Sequence, residues 1–413
     1  MQIENLNIKA PYIYKIIAFC LAVIIIFNSN SIWITVPGKS SHYFNIIFFS
    51  LIILVGISFF VISIPQRIFT VNFLIAICVF FYILIYAFQP VNISDYAYVL
   101  KLDVIIIFTL LYYALYCNDK LPRVMQLYVD IVTIIGIISL LFWILGSNLH
   151  LINTNKYILS TWSSFNNWAQ LVPSYFNIYF EPQQINGLIR NSAIFPEAPM
   201  ASLHFTVALS IEWLLRKNDK FHIAKLVILI ICIISTFSST GYIAVILLVC
   251  YKILLSKNAF ISKIKPVIIV VVIVGIIVIQ NILSQKLVTE SGSIRIDDYV
   301  AAYNAWKDNP IMGLGIASSK IQNYMSLWRG YNLGFSNTIM DILAHGGIYV
   351  SLIYVLALIY SIKESFKYKN WNMLMFIIIV IYLLFTTLFT NTLLLFNVLA
   401  LIIYGSNIKE SRN

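Results

Sequence analysis

Three of the seven arginines in the chain, Arg190, Arg295 and Arg329, lie in two polar stretches, about 147 to 198 and about 284 to 336, that interrupt an otherwise apolar sequence. A guanidinium presents a planar fork of donors that holds a phosphate bidentately, so arginines grouped in this way read as an anion grip. The plainer reading is loop salt bridging, for instance Arg295 with Asp298 one turn on. Glu197 follows Pro196 at the start of an apolar segment. The helix dipole favours an acid there, and the same carboxylate is placed to take a proton as a general base. Asp297, Asp298 and Glu181 compete with it for that role. Ser336 and Asn337 stand where the second polar stretch meets the next apolar segment. His345, some two turns further in, and His204 in an earlier segment both fit satisfied core histidines, with His345 also a candidate for contact with substrate. Lys101 and Asp103 are charges inside an apolar segment, close enough to its end to snorkel.

These side chains need elements to hold them. In the second stretch Ile296, Tyr299, Val300 and Tyr303 recur at helical spacing, with Trp306 near the same stripe, which predicts an amphipathic helix lying on an apolar surface. Ser293 is its expected cap, Asp297 and Asp298 sit near its positive end, and Asn309 before Pro310 stops it. A turn at Gly313 and Gly315 follows. The first stretch carries Tyr157, Trp162, Phe165, Trp168, Tyr175, Phe176, Tyr179 and Phe180, rings that stack on sugars or anchor a loop at a membrane interface.

The remainder is membrane. With 61% hydrophobic and 10% charged residues and a mean hydropathy of +0.89, the 413-residue chain is no water-soluble globule. Apolar runs of the roughly 20 residues that cross a bilayer fall at about 13–29, 44–62, 70–88, 98–116, 124–146, 199–215, 222–237, 239–255, 266–283, 337–361, 371–388 and 391–405. The expected fold is therefore all-α and polytopic, about twelve transmembrane helices in a single membrane domain, 1–413, with two long outer-face loops carrying short amphipathic helices. The first apolar run lacks a small-x-small cleavage site and reads as a retained helix. Most lysines and arginines fall in short loops that are cytoplasmic if both termini are, which puts 147–198 and 284–336 on the outer face. The net charge of +11 is thus an orientation signal and not a nucleic-acid footprint. The five cysteines lie in or beside apolar runs, away from both long loops, which argues against a disulfide framework or thiolate metal site. No Walker loop, HExxH or paired-cysteine motif is present, so no cofactor and no metal is expected.

Arg295, then Trp306 after ten intervening residues, Pro310, Gly313 and Gly315, followed by Ser336-Asn337 and Gly346-Gly347, resembles the O-antigen polymerase and O-antigen ligase superfamily of bacterial membrane glycosyltransferases. The run from Arg190 to Ala198, with its arginine, aromatic and Glu197, is similar to a second pattern of that family. Together they cover about a quarter of the chain. The resemblance implies an enzyme of the bacterial plasma membrane that uses oligosaccharides carried on undecaprenyl pyrophosphate, with Arg190, Glu197 and Arg295 catalytic and Arg329, Asp298, Ser336, Asn337 and His345 on the substrate. Two departures matter. The ligase branch typically has a histidine where this chain has Ser336, which favours the polymerase branch, and Ala201 and Trp306 occupy the glycine positions of a double R-x10-G pattern found in some polymerases. The expected function is joining of repeat units into O-antigen or capsular polysaccharide at the outer face. A chain-length regulator and a flippase of the same pathway are candidate partners, beside membrane lipid. The alternatives are a ligase acting on lipid A core and a lipid-linked oligosaccharide flippase. A transporter would line its path with polar groups in many segments; this chain concentrates them in two loops.

Overall fold

The computed structural model describes residues 10–35, 66–88, 102–107, 109, 113, 121–160, 170–185, 187–216, 220–256, 290–316, 318–329 and 334–407. Within them the chain is mostly helical: α1 (Ala10–Asn28), α2 (Gln66–Ala87), α3 (Arg123–Phe142), α4 (Ala198–Ser210), α5 (His222–Ser235), α6 (Ser239–Leu255), α7 (Glu290–Asp308), α8 (Thr338–Lys367), α9 (Trp371–Thr386) and α10 (Leu393–Gly405). π-helical turns extend α3 to Asn148 and α4 to Leu215. Among the described residues, three helices are long and apolar enough to cross a bilayer, Arg123–Asn148, Ala198–Leu215 and Thr338–Lys367. The apolar runs at 44–62 and 266–283, and most of 98–116, lie outside the described residues.

One end of the bundle gathers the polar chemistry. The Asn28 carboxamide at the end of α1 accepts from Leu393 N at the start of α10, Thr338 N at the start of α8 donates to Thr387 O beyond α9, and Gln183 Oε1 accepts from Ala198 N at the start of α4. The opposite end is tied by ions. Glu212, fully buried, meets Arg216 at 3.1 Å and His222 at 2.9 Å, while Asp130 on α3 holds Arg216 and Lys225 at 2.7 and 2.8 Å.

The first loop corrects an expectation. Its described residues form strands and no amphipathic helix: β1 (Lys156–Ser160), β2 (Gln170–Tyr175) and β3 (Tyr179–Phe180) make an antiparallel sheet in that order, and β4 (Gln184–Ile185) pairs with β5 (Leu188–Ile189). Alternation explains it: Ile158 and Val172 face inward on the two partners, while Tyr157, Leu159 and Leu171 point out. Tyr175 and Tyr179 are buried against Phe142 of α3 and Phe180 clusters with Ile32 beyond α1, whereas Phe176 is exposed. Trp162, Phe165 and Trp168 fall outside the described residues.

α8 is broken. Gly347 has φ 58° and ψ −161° inside it, a region closed to side-chain-bearing residues. The turn at 310–315 docks in the break, with Leu314 N and Gly315 N donating to Ala344 O and His345 O, and Ile348 N and Tyr349 N donating to Pro310 O and Ile311 O. The approach is so close that a Cβ on Gly313 would lie 2.5 Å from Gly347 N, and one on Gly347 2.3 Å from Ile311 O. Two tyrosines of α2 complete it: Tyr86 donates to His345 O at 2.7 Å, and Tyr82 to Tyr349 O at 2.6 Å with the two rings stacked. The glycine spacing read in the sequence therefore builds a backbone crossing.

Candidate functional site

Arg190 is set by the end of the first loop. Asn191, fully buried, donates to Ser139 Oγ of α3 at 3.1 Å and Ser235 Oγ of α5 at 2.9 Å, and its backbone N–H donates to Ser235 O. That anchor leaves Arg190 over the α5–α6 turn, where Nε donates to Thr236 O at 2.8 Å, one Nη to Phe237 O at 3.4 Å and the other to Gln183 Oε1 at 3.2 Å. These partners are neutral, so they orient the guanidinium without cancelling its charge. Burial pushes Arg190 down from the ordinary arginine value to about 10, Glu197 opposes that shift, and the like charge of Arg295 adds to it. It remains a cation at neutral pH.

Arg295 comes from the second loop, on α7. Arg190, Tyr299 and Tyr382 lie within its electrostatic reach. Two like charges from separate loops thus lie within electrostatic reach of each other, both partly exposed. An anion bound between them relieves their repulsion, which is what an anion grip requires. Glu197 is the residue before α4, in extended conformation, with no side-chain bond to the helix start. Burial of its neighbours leaves it partly exposed and within electrostatic reach of Arg190. The first three candidates are therefore brought together.

The other candidates are spent inside the protein. Arg329, its side chain fully buried, donates to Asp298 Oδ1 at 2.7 Å, to Asp297 Oδ2 at 3.1 Å and to Gly334 O at 3.1 Å. Asp298 also accepts from Ser336 N at 2.8 Å, and Asp297 from the Ser326 N–H and hydroxyl. Burial alone would raise Asp297, but Ser326 and Arg329 hold it below the usual carboxylate range. Arg329 and Asp298 are thus the clamp that folds the second loop, not an exposed phosphate grip, and Asp298 bonds Arg329 instead of the Arg295 expected from spacing. Ser336 contributes its backbone N–H to that clamp. Asn337 is the cap of α8, its side chain accepting from Met340 N at 2.9 Å. Glu181 accepts from Ser147 beneath the first loop and does not join Arg190.

α7 corrects three further readings. It begins at Glu290, so Ser293 lies inside it and the aspartates sit in its middle. The apolar stripe of Ile296, Val300 and Tyr303 is half exposed. The face packed on the protein is instead Asp297, Asp298, Ala301, Ala302 and Ala305. Tyr299 leaves the exposed side to donate to Phe385 O at 2.6 Å. The helix does end before Asn309.

His204 is a core histidine, its Nδ1 2.9 Å from the Tyr128 hydroxyl and its ring stacked on Phe195. Asp103 is fully buried with neither carboxylate oxygen partnered among the described residues, so it does not snorkel; Lys101 lies outside them. His345 lies 2.9 Å from Asp341 Oδ1 through Nδ1 and 3.3 Å from Ser318 O through Nε2. Sequence reasoning passed over Gln183 and Asn191, for which it holds no signal, and Asp341, whose i,i+4 spacing to His345 is one.

The fold and its site define a helical membrane protein that holds two arginines from separate loops at one end of its bundle. Residues 224–355, from α5 into α8, match a family model described as O-antigen ligase. The match bears out the similarity to the O-antigen ligase and polymerase superfamily, a family of bacterial membrane proteins, without distinguishing its branches. No curated protein matches the chain. Nothing in the match supports a flippase.

Proposed function

We propose that this protein is a polysaccharide polymerase that joins oligosaccharide repeat units carried on a lipid pyrophosphate, at the outer face of the bacterial plasma membrane. The observation that carries the reading is that Arg190 and Arg295, each drawn from a different loop, lie within electrostatic reach of each other, with neither bonded to a carboxylate among the described residues in the manner of Arg329. In the proposed reaction a sugar hydroxyl of one lipid-linked unit attacks the anomeric carbon of the growing chain and gives up its proton to a carboxylate base. The bond from that carbon to the pyrophosphate oxygen breaks, and its electron pair leaves with the lipid pyrophosphate. The two guanidiniums stabilise the departing charge, an effect strongest where donors are already in place and water is excluded. Gln183 ties Arg190 to the start of α4, so the grip and Glu197 move as one piece. The leaving group is activated before it arrives, so neither ATP nor a nucleotide sugar is required. Chain-length regulator and flippase are the expected neighbours in the membrane.

The matched family's description favours a second reading, a ligase that moves finished polysaccharide onto lipid A core. Ser336 in place of the ligase-branch histidine weighs against it. Deleting the gene and sizing glycans on the lipid carrier and at the cell surface separates the two. Single repeat units at the surface support the polymerase; long chains stranded on the carrier overturn it in favour of the ligase.

A further inference from the structure

A second feature at the same end of the bundle is unused by the arginine grip. A cavity of about 210 Å3 lies between the end of α1, the outer half of α8 and the α9–α10 turn, and its polar lining is Asn30, Asp341, His345, Thr390 and Asn391. Asn30 and Asn391 both adopt positive φ, 60° and 58°, in the turns that bring them there. Thr390 Oγ1 is shielded from solvent without a hydrogen-bond partner among the described residues. Hydroxyl and carboxamide groups around a space of this size are the chemistry that takes up the hydroxyls of a sugar ring. The end of α9 links the cavity to the arginine-bearing helix: Tyr299, one turn from Arg295, is bonded to Phe385 O, and Leu388, Thr390 and Asn391 just beyond line the cavity.

His345 is badly placed to take a proton there. Both of its ring nitrogens face oxygen acceptors, Asp341 on one side and Ser318 O on the other. Asp341 is different. Its Oδ1 is held by His345 at 2.9 Å, and among the described residues its Oδ2 has no partner. A carboxylate fixed through one oxygen by a histidine, with the other at a polar cavity, is built as a proton acceptor.

We infer that the cavity beside Asp341 is the acceptor-sugar subsite, with Asp341 the general base and His345 its positioning residue. The inference rests on the proposed function and deepens it. The acceptor hydroxyl gives its proton to Asp341 Oδ2 as its oxygen bonds to the anomeric carbon; the carbon–pyrophosphate bond breaks with its electron pair on the leaving group, and the proton passes from Asp341 to water.

The test uses purified full-length protein in nanodiscs with lipid-linked repeat units extracted from cells lacking it. Donor binding, chain elongation and lipid pyrophosphate release are all measured. Asp341→Asn is expected to bind donor normally yet elongate at least about a hundredfold more slowly, the scale of general-base catalysis. Sodium formate, a small carboxylate able to enter the vacated space, is expected to restore elongation several-fold in Asp341→Ala and not in Arg295→Ala. His345→Gln should lower the rate less than Asp341→Asn and shift its acid limb. Wild-type protein that neither elongates nor releases lipid pyrophosphate refutes the proposed function itself. Active wild type with Asp341→Asn within threefold of it, at equal donor binding, overturns only the assignment of Asp341. If the variants do not accumulate, wild-type protein treated with a water-soluble carbodiimide and taurine decides. Modification of Asp341 that repeat units block and that abolishes elongation supports the assignment; elongation surviving full modification overturns it.

Discussion

Arg329→Ala separates a folding arginine from a catalytic one. The substitution leaves Asp297 and Asp298, side chains 7% and 0% exposed, without the cation they share. Removing one partner of a buried ion pair costs about 3 to 5 kcal/mol, because the remaining charge stays desolvated. Each 1.4 kcal/mol is tenfold in an equilibrium, so the open population of the second loop rises by about two to three and a half orders of magnitude. Against a total stability of about 5 to 15 kcal/mol, that is enough to lower abundance. The assay is limited proteolysis of residues 290–336 in isolated membranes, read beside immunoblot abundance and surface glycan length. The variant is expected to be cleaved fast and to accumulate poorly. Changing Asp297, Asp298 and Arg329 together to Asn, Asn and Gln removes all three charges and is expected to recover part of the protease resistance. An Arg329→Ala protein that accumulates normally, resists protease like wild type and makes no long chains would refute this reasoning and return Arg329 to the substrate.

Other expectations follow from the same geometry. Arg295→Ala loses charge-assisted hydrogen bonds of about 1.5 to 3 kcal/mol each, slowing transfer about tenfold to over a hundredfold per bond at unchanged abundance. Arg295→Lys should recover only part of this, since it keeps the charge without the fork, and normal long chains from both Arg295→Ala and Arg190→Ala would end the pyrophosphate-grip idea. Gly347→Ala puts a Cβ 2.3 Å from Ile311 O at positive φ; it is expected to lower the melting temperature in detergent, and an unchanged value would mean the crossing relaxes freely. Asp297 is held below the ordinary carboxylate value in the folded loop, so its stabilisation is full above about pH 4, the unfolded value, and is lost as pH falls through the lower folded one. Proteolysis of the second loop, by an acid protease, should therefore accelerate below about pH 4, with Asp298, which burial pushes up, opposing part of the change. Single cysteines at Leu188 and Leu327 in a cysteine-free background should react with an impermeant maleimide on intact spheroplasts, and one at Lys220 should not; the reverse pattern overturns the orientation.

Periodicity and hydropathy found the long helices because a bilayer demands about 20 apolar residues in a row, a signal few other constraints mimic. It singled out Arg190, Glu197 and Arg295 because polar residues are scarce enough in such a chain for their positions to carry meaning. The partner of each charge was not legible. Asp298 lies three residues from Arg295, yet the fold brings Arg329 to it across 31 positions, and no local rule reports that. The exposed stripe of α7 misled for a related reason: small alanines allow close packing and carry little hydrophobic signal, so the inward face looked weaker than the outward one. The sheet of the first loop was hidden by its aromatics, which read as anchors, and by Pro173 within β2.

The break in α8 also has a bearing on how the protein is made. Thirty residues of unbroken helix reach about 45 Å, and the segment can enter the bilayer in that straight form. The carbonyls freed at Gly347 are costly to leave bare in lipid, and their partners come from the turn at 310–315 and from Tyr82 and Tyr86 far earlier in the chain. The bend is therefore held by the docking of α2 and the second loop. Asp341 and His345 sit on the half of α8 that this bend re-aims, so the shape of the cavity they line depends on the docked turn.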